Sequence, residues 1–383
     1  MKLVFWISLG LLAYTYIGYF LLLTVLGPLV RRLRRLHRVD DTYRPTVSFV
    51  ISLHNEERHI HARIDNFEAL DYPAEKLELW LGDDCSTDRT REIIRERMAR
   101  NPRIRLVEFN THQGKTAVIN ALVPQTRGEI IAFSDANTFW APSALAKLVR
   151  HYADPRVGAV GGRLILRSPT GVNTDDAYWK FETLLKQREN DLGVQLGAPG
   201  GIYTMRKELF CPLQADVIQI DDFIWPVSVY WQGYFGVNEP SAVAQEEAAP
   251  HVEAEFRRKV RIGTGDYRAL WECRRLLNPR YGWVSFAFWS HKVIRWFAPF
   301  LLVIVFVTNA WLPEYRLLWY GQVAFYAAAL AGKLVARQRH LLARILRIPY
   351  YFTGSNAALL VGFFRCVTGR QQAAWSQKAH RAA

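Results

Sequence analysis

The chain has 383 residues, half of them hydrophobic, and a formal charge of +14; this length allows two or three folded units. The charge does not read as a nucleic-acid surface, because Arg31, Arg32, Arg34, Arg35 and Arg38 follow one apolar run and Arg337, Arg339, Arg344 and Arg347 follow another, as the positive-inside rule and anionic headgroups require. Cys85, Cys211, Cys273 and Cys366 are scattered and form no C-x-x-C pair, which argues against a zinc site or a disulfide framework and suits reduced thiols in the cytosol.

The first element is apolar. Leu3 to Val30 contains no charged residue, and about 20 apolar residues span a bilayer. A cleaved signal peptide is the alternative, but the run is long, no A-x-A site follows, and the arginines lie on its far side. The expectation is a retained transmembrane helix over residues 1–30, with its N-terminus outside and the residues after Arg31 in the cytosol.

Residues 40–281 read as one water-soluble domain without repeats or a low-complexity linker. "TVSFVISLHNEE" is a β-branched, almost continuous apolar run ending in polar residues, as a strand covered on both faces would be. "KLELWLGDD" predicts a strand and "TDRTREIIRERMARN" a helix. "RIRLVEFN" is a short strand, "GKTAVINALVPQ" a helix and "GEIIAFSDAN" a strand again. This alternation predicts a doubly wound α/β sheet, in which ligands collect beyond the carboxyl ends of the strands. His54–Glu57, Asp83–Asp84 and Asp135–Asn137 fall at those ends.

After the domain comes a second apolar block, residues 282–370. Trp296 to Leu312 and Leu317 to Val335 predict a transmembrane hairpin turning at Pro313–Tyr315, approached by Trp283, Trp289 and Trp296, rings suited to headgroup depth. Lys333 can snorkel towards the cytosolic face. The segment from Ile348 is interrupted by Pro349, Gly354 and Asn356, which favours an interfacial or re-entrant segment over a span. Residues 371–383 form a basic tail, expected in the cytosol.

The motifs "SLHNEE", "DDCSTD", "GKTAVINAL", "SDANT", "QIDDF" and "RRKVRI" occur in one order from about Val47 to Leu270. Together they resemble membrane-bound glycosyltransferases of family 2. That resemblance implies a GT-A fold, meaning a Rossmann-like, doubly wound, mainly parallel sheet in a cytosolic domain flanked by transmembrane helices. It also implies an inverting, metal-dependent transfer of a sugar from a nucleotide-sugar donor.

The resemblance assigns roles residue by residue. Asp83 and Asp84 would hold the nucleotide, accepting from the base imide and the ribose hydroxyls, and Glu56 would share the ribose. Turn and capping chemistry is the alternative at this loop and suits Thr87 and Asp88. Cys85 stands where the family usually has glycine, so a glycine-only backbone angle is not expected there. Lys115, at a helix start where a cation is otherwise disfavoured, would be a nucleotide contact. Asp135 and Asn137 correspond to the D-x-D pair and would ligate Mg²⁺ or Mn²⁺ with hard oxygens, although Asn137 adds no charge. Asp222, beside Asp221, is the expected catalytic base, since an acceptor hydroxyl must lose its proton as it attacks and a neighbouring acid raises the base's pKa. A helix-start carboxylate pair is the plainer reading of these two.

Arg258 and Arg261 occupy the Q-x-x-R-W region and would clamp diphosphate oxygens, unless they simply line a basic helix lying on headgroups. Ile262 replaces the tryptophan expected to stack on an acceptor sugar in polymer-forming relatives, which weakens the case for a processive synthase. Gly200 and Gly201 mark an acceptor-side loop, and His251 is a lone histidine near it.

The reading is thus a hexosyl- or N-acetylhexosaminyl-transferase of the bacterial inner membrane. It would take a UDP-sugar and act on a lipid-linked or growing glycan acceptor in envelope or exopolysaccharide synthesis, with export or other assembly proteins as partners. A transferase acting on polyprenyl phosphate or another lipid is one rival, and a catalytically decayed membrane scaffold is another. A sugar-nucleotide pyrophosphorylase would need a G-x-G-x-R loop near the first strand, and none is present.

Overall fold

The computed structural model describes residues 1–33, 37–167, 176–215, 220–247, 252–335, 338 and 340–369. They divide into an α/β unit, within Leu23–Pro250 and Glu272–Ser285, and a helical unit, within Met1–Leu22, His251–Trp271 and Phe286–Gln371.

The α/β unit is built on eight strands: β1 (Val47–Leu53), β2 (Leu77–Asp84), β3 (Ile104–Phe109), β4 (Ile130–Phe133), β5 (Thr138–Trp140), β6 (Val157–Arg167), β7 (Tyr203–Arg206) and β8 (Phe235–Glu247). They lie in the order β3-β2-β1-β4-β7-β6-β8-β5. The strands β3, β2, β1 and β4 run parallel, as expected. Beyond β4 the sheet is mixed: β7 is antiparallel to both β4 and β6, β8 is parallel to β6, and β5 is antiparallel to β8.

Burial explains the apolar run of β1. Phe49, Ile51 and Leu53 join a core cluster that includes Ile60, Ile64 and Phe67 of the helix Ile60–Glu68. Val50 joins another, with Val118, Ile119 and Leu122 of the helix Lys115–Leu122. Each such side chain stabilises the fold by roughly 1.5–3 kcal/mol. The helix Lys115–Leu122 lies so close that a Cβ on Gly82 would fall 2.3 Å from Val118. This pins the segment before Lys115 against the end of β2.

Lys2–Leu33 forms one helix with a π turn at Tyr14–Gly18; it is long and apolar enough to cross a membrane. Helices Ala298–Ala310 and Arg316–Val335 turn at Pro313–Tyr315, as predicted. The former also makes a pair, bent by 57°, with Trp283–Trp296.

Two expectations are corrected here. Pro349, Gly354 and Asn356 do not interrupt the last segment, which is a single helix, Leu341–Val367. Asn356 Nδ2 donates to Phe352 O at 2.9 Å, supporting the helix, and close packing on Gly332, where a Cβ would lie 2.3 Å from Leu346 O, outweighs local propensity. The second correction concerns the domain boundary. The helix Val252–Glu272, with Arg258 and Arg261, belongs to the helical unit. It crosses Leu341–Val367 in backbone contact, a Cβ on Gly362 falling 2.7 Å from Gly263 C, the approach that small residues permit.

Candidate active site

The loops after β1 and β2 are stitched together by side chains. Asn55 N donates to Ser86 Oγ (2.9 Å), Thr87 N to Asn55 Oδ1 (2.8 Å) and Glu56 N to Thr90 Oγ1 (2.8 Å). Asp88 Oδ1 accepts from Thr90 N at 3.0 Å and Oγ1 at 2.6 Å, the turn chemistry anticipated for it. Glu56 Oε2 lies 2.9 Å from His59 Nδ1.

Both carboxylates at the end of β2 are buried and engaged by the chain. Asp84 accepts from Gln113 N and Gly114 N, each at 2.7 Å, and Oδ2 also lies 2.8 Å from His112 Nδ1. Its oxygens therefore shape the loop leading to Lys115. Asp83 pairs with Arg91 through Oδ2, which also accepts from Ser86 N at 3.0 Å. Its Oδ1 is a buried acceptor with no hydrogen bond among the described residues.

Cys85 corrects another expectation. It takes φ +61°, so the left-handed angle that glycine would adopt freely is retained, with a cost of roughly 1–2 kcal/mol for a side chain with a Cβ. The next loop meets a similar demand with a glycine, Gly114 at φ +91°.

Lys115 is where the distant motifs meet. Its Nζ donates to Asp135 Oδ1, beyond β4, at 2.9 Å and lies 3.3 Å from Asp221 Oδ2, which opens the helix Asp221–Ser228. Burial opposes the charge on Lys115, but Asp135, Asp221 and Asp222 outweigh it and hold the ammonium protonated. Asp222 shows the opposite balance. Burial, followed by the charge of Asp221, raises its carboxyl to about 7, with Asp135 adding to the rise and Lys115 and Lys186 opposing it. A carboxylate held there can exchange a proton near neutrality.

Gly200 sits directly against this acid, since a Cβ there would fall 2.9 Å from Asp222 Oδ2. Gly201 is small for a different reason, because a Cβ would fall 2.6 Å from Thr138 Oγ1. It lies just before β7 and packs against the start of β5.

For a cation, the side chains supply hard oxygens. Asp135 engages only Oδ1 with Lys115, and Asn137 Nδ2 donates to Glu246 Oε1 at 3.3 Å, leaving its own Oδ1 as a ligand atom. Among the described residues no three His, Cys, Asp or Glu side chains form a metal cage. Two oxygen ligands nevertheless fit Mg²⁺ or Mn²⁺, which complete their shells with water and phosphate oxygens.

Sequence reasoning missed Glu246, Lys186 and Arg63. Glu246 is opposite Thr138 in the β5–β8 ladder, a long-range pairing with no local signal. Arg63 did leave one, interrupting the apolar stripe Ile60, Ile64, Phe67. His251 lies outside the described residues.

Fold and site together define a GT-A glycosyltransferase architecture. Residues 48–210 match the family model described as Glycosyl transferase family 2. A beta-monoglucosyldiacylglycerol synthase of Nostoc sp. (strain PCC 7120) is 30% identical over 181 residues, 47% of this chain and 37% of that protein. Its counterpart in Synechocystis sp. (strain PCC 6803) is 31% identical over 118 residues, 30% of this chain and 25% of that protein. The chain thus spans about a quarter to a third of the length of these relatives. The fold is shared with a mannosyltransferase, PcManGT, of Pyrobaculum calidifontis, solved with GDP-Man and Mn²⁺, at TM-score 0.70, 23% identity and coverage of 96% of this chain and 100% of that one.

Proposed function

We propose that the protein transfers a sugar from a nucleotide-sugar donor, a UDP-sugar, to the hydroxyl of a membrane lipid or lipid-linked saccharide, with inversion at the anomeric carbon and a divalent cation at the donor. The observation that carries this reading is the convergence of Asp135, Asp221 and Asp222 on Lys115. Asp135 and Asn137 would hold Mg²⁺ or Mn²⁺, which when bound offsets charge on the leaving diphosphate. Lys115 stands beside them as a second cation for the same anion. The unpartnered Oδ1 of Asp83 is the acceptor left for a base N–H, with Glu56 for ribose. Asp222, beside Gly200, takes the acceptor proton, and Asp221 keeps its pKa high. Arg258 and Arg261, on the helix Val252–Glu272, remain proposed contacts for diphosphate or acceptor.

A base held near neutrality favours a hydroxyl acceptor over a lipid phosphate, because a phosphate oxygen is already ionised and needs no base. The glucosyldiacylglycerol synthases among the relatives fit that choice. The long apolar helix Lys2–Leu33 supports an integral membrane protein whose α/β unit works at the cytosolic face.

The test is transfer of label from a panel of nucleotide sugars into lipid and glycan fractions of membranes carrying the protein, with and without EDTA. EDTA-sensitive label in a neutral lipid or lipid-linked saccharide is expected. Label only in polyprenyl phosphate, unaffected by Asp222→Asn, would transfer the reading to the phosphate acceptor. No label from any donor would leave the scaffold account standing.

A further inference from the structure

Arg63 lies on the buried face of the helix Ile60–Glu68 and is fully buried. Its Nη1 donates to Asn66 Oδ1 at 2.8 Å, while Nε and Nη2 have no hydrogen-bond partner among the described residues. The guanidinium carbon lies 4.7 Å from the centre of the Phe49 ring, and the Trp140 ring meets the same Phe49 edge-on at 4.7 Å. A buried cation over an aromatic ring, with most of its donors idle, bears a large desolvation cost. Replacing it by a hydrophobe would ordinarily leave a fold as stable or more so. A fold that keeps it gains something else.

The contacts of Asn66 suggest what that is. Asn66 Oδ1 also accepts from Trp140 N, and Asn66 Nδ2 donates to Trp140 O, both at 2.8 Å. Trp140 closes the segment that begins at Asp135 and includes Asn137 and β5. The other side of that segment is held by Trp140 Nε1, which donates to Gly201 O (2.8 Å) and Ser134 Oγ (3.1 Å). Arg63 therefore reaches Trp140, the far end of the segment that begins at Asp135, through a single intervening side chain. Burial pulls its pKa down to about 9, and the charge of Asp135 opposes that fall. It remains a cation at neutral pH and feels the donor-site carboxylate.

We propose that Arg63 is a positioning residue for the donor site: clamped through Asn66 to the Trp140 backbone, it holds the Asp135–Trp140 turn and places buried positive charge behind the position of the donor diphosphate. This rests on the donor reading given above. The geometry does not require Arg63 to touch substrate. Its charge acts through a medium of low dielectric, where a cation behind a binding turn favours an anion in front of it.

The test uses the full chain in detergent and three proteins: wild type, Arg63→Met and Arg63→Lys. Binding of UDP and of GDP, each with Mn²⁺, is measured by calorimetry alongside thermal unfolding and donor kinetics. Arg63→Met is expected to unfold no earlier than wild type, yet to bind the nucleoside diphosphate about tenfold or more weakly, with the loss appearing in KM more than in kcat. Arg63→Lys is expected to restore binding at pH 7 and to lose it at a lower pH than wild type, because a lysine buried there gives up its proton before a guanidinium does.

Wild-type affinity in Arg63→Met would overturn the proposal and leave Arg63 a purely structural cation. Should Arg63→Met fail to fold, Arg63→Lys decides alone: a pH profile coincident with wild type overturns the proposal, and a loss at a lower pH than wild type supports it. If the wild type binds neither nucleotide, the donor reading itself falls, and the role of Arg63 with it. Binding by the wild type with no change in the variants removes only the latter.

Discussion

Replacing Asp222 by asparagine separates the chemistry of the site from its stability. The carboxyl is raised from 3.8 to about 7, burial being the first cause and the charge of Asp221 the second. Such a group stays protonated in the folded protein at pH values where the unfolded chain has already released the proton. Folding stability therefore falls as pH rises from about 4 to about 7 and stays reduced above. At about 1.4 kcal/mol for each tenfold change, the displacement amounts to at most about 4 kcal/mol at pH 8. Asparagine keeps the shape and removes the ionisation. Asp222→Asn should thus melt well above wild type at pH 8, at about 2–4 °C per kcal/mol for a unit of this size, and by less than half that margin at pH 5. Transfer should be lost in the variant. In the wild type, kcat/KM should rise with pH through about 7 and level off, as the free enzyme's base ionises. Paired thermal melts at the two pH values and a pH–rate profile make the comparison. Equal melting differences at pH 5 and pH 8, or a flat rate profile across that interval, would refute a strained carboxylate at this position.

Two further outcomes follow from the loops around it. Cys85→Gly should stabilise the protein by roughly 1 kcal/mol, since glycine reaches the observed φ of +61° without the penalty of a Cβ but is freer when unfolded; chemical denaturation midpoints would measure it. Asn137→Asp should keep turnover but bring a carboxylate against Glu246, where the amide now donates a hydrogen bond. The variant should consequently be stabilised by Mn²⁺ more than wild type in a thermal-shift titration, and folded but inactive protein would remove Asn137 from the ligand set.

The sequence by itself determined the elements and their chemistry. Apolar runs bounded by polar turns placed β1 to β4, the clusters at their carboxyl ends named Asp83, Asp84 and Asp135, and the family resemblance added Lys115. One uncharged stretch placed the first helix. These features are legible because each depends on periodicity and residue type within a few neighbouring positions. Tertiary structure alone decided the partners. Asp84 faces the loop before Lys115, and Lys115 faces Asp135 and Asp221, because the sheet order brings the ends of β2 and β4 and the helix Asp221–Ser228 together. The left-handed Cys85, the unbroken helix through Pro349 and the buried Arg63 run against the preferences of their own residue types. In each case contacts made by residues far along the chain outweigh a local preference of about 1–3 kcal/mol, and a one-dimensional pattern does not contain those contacts.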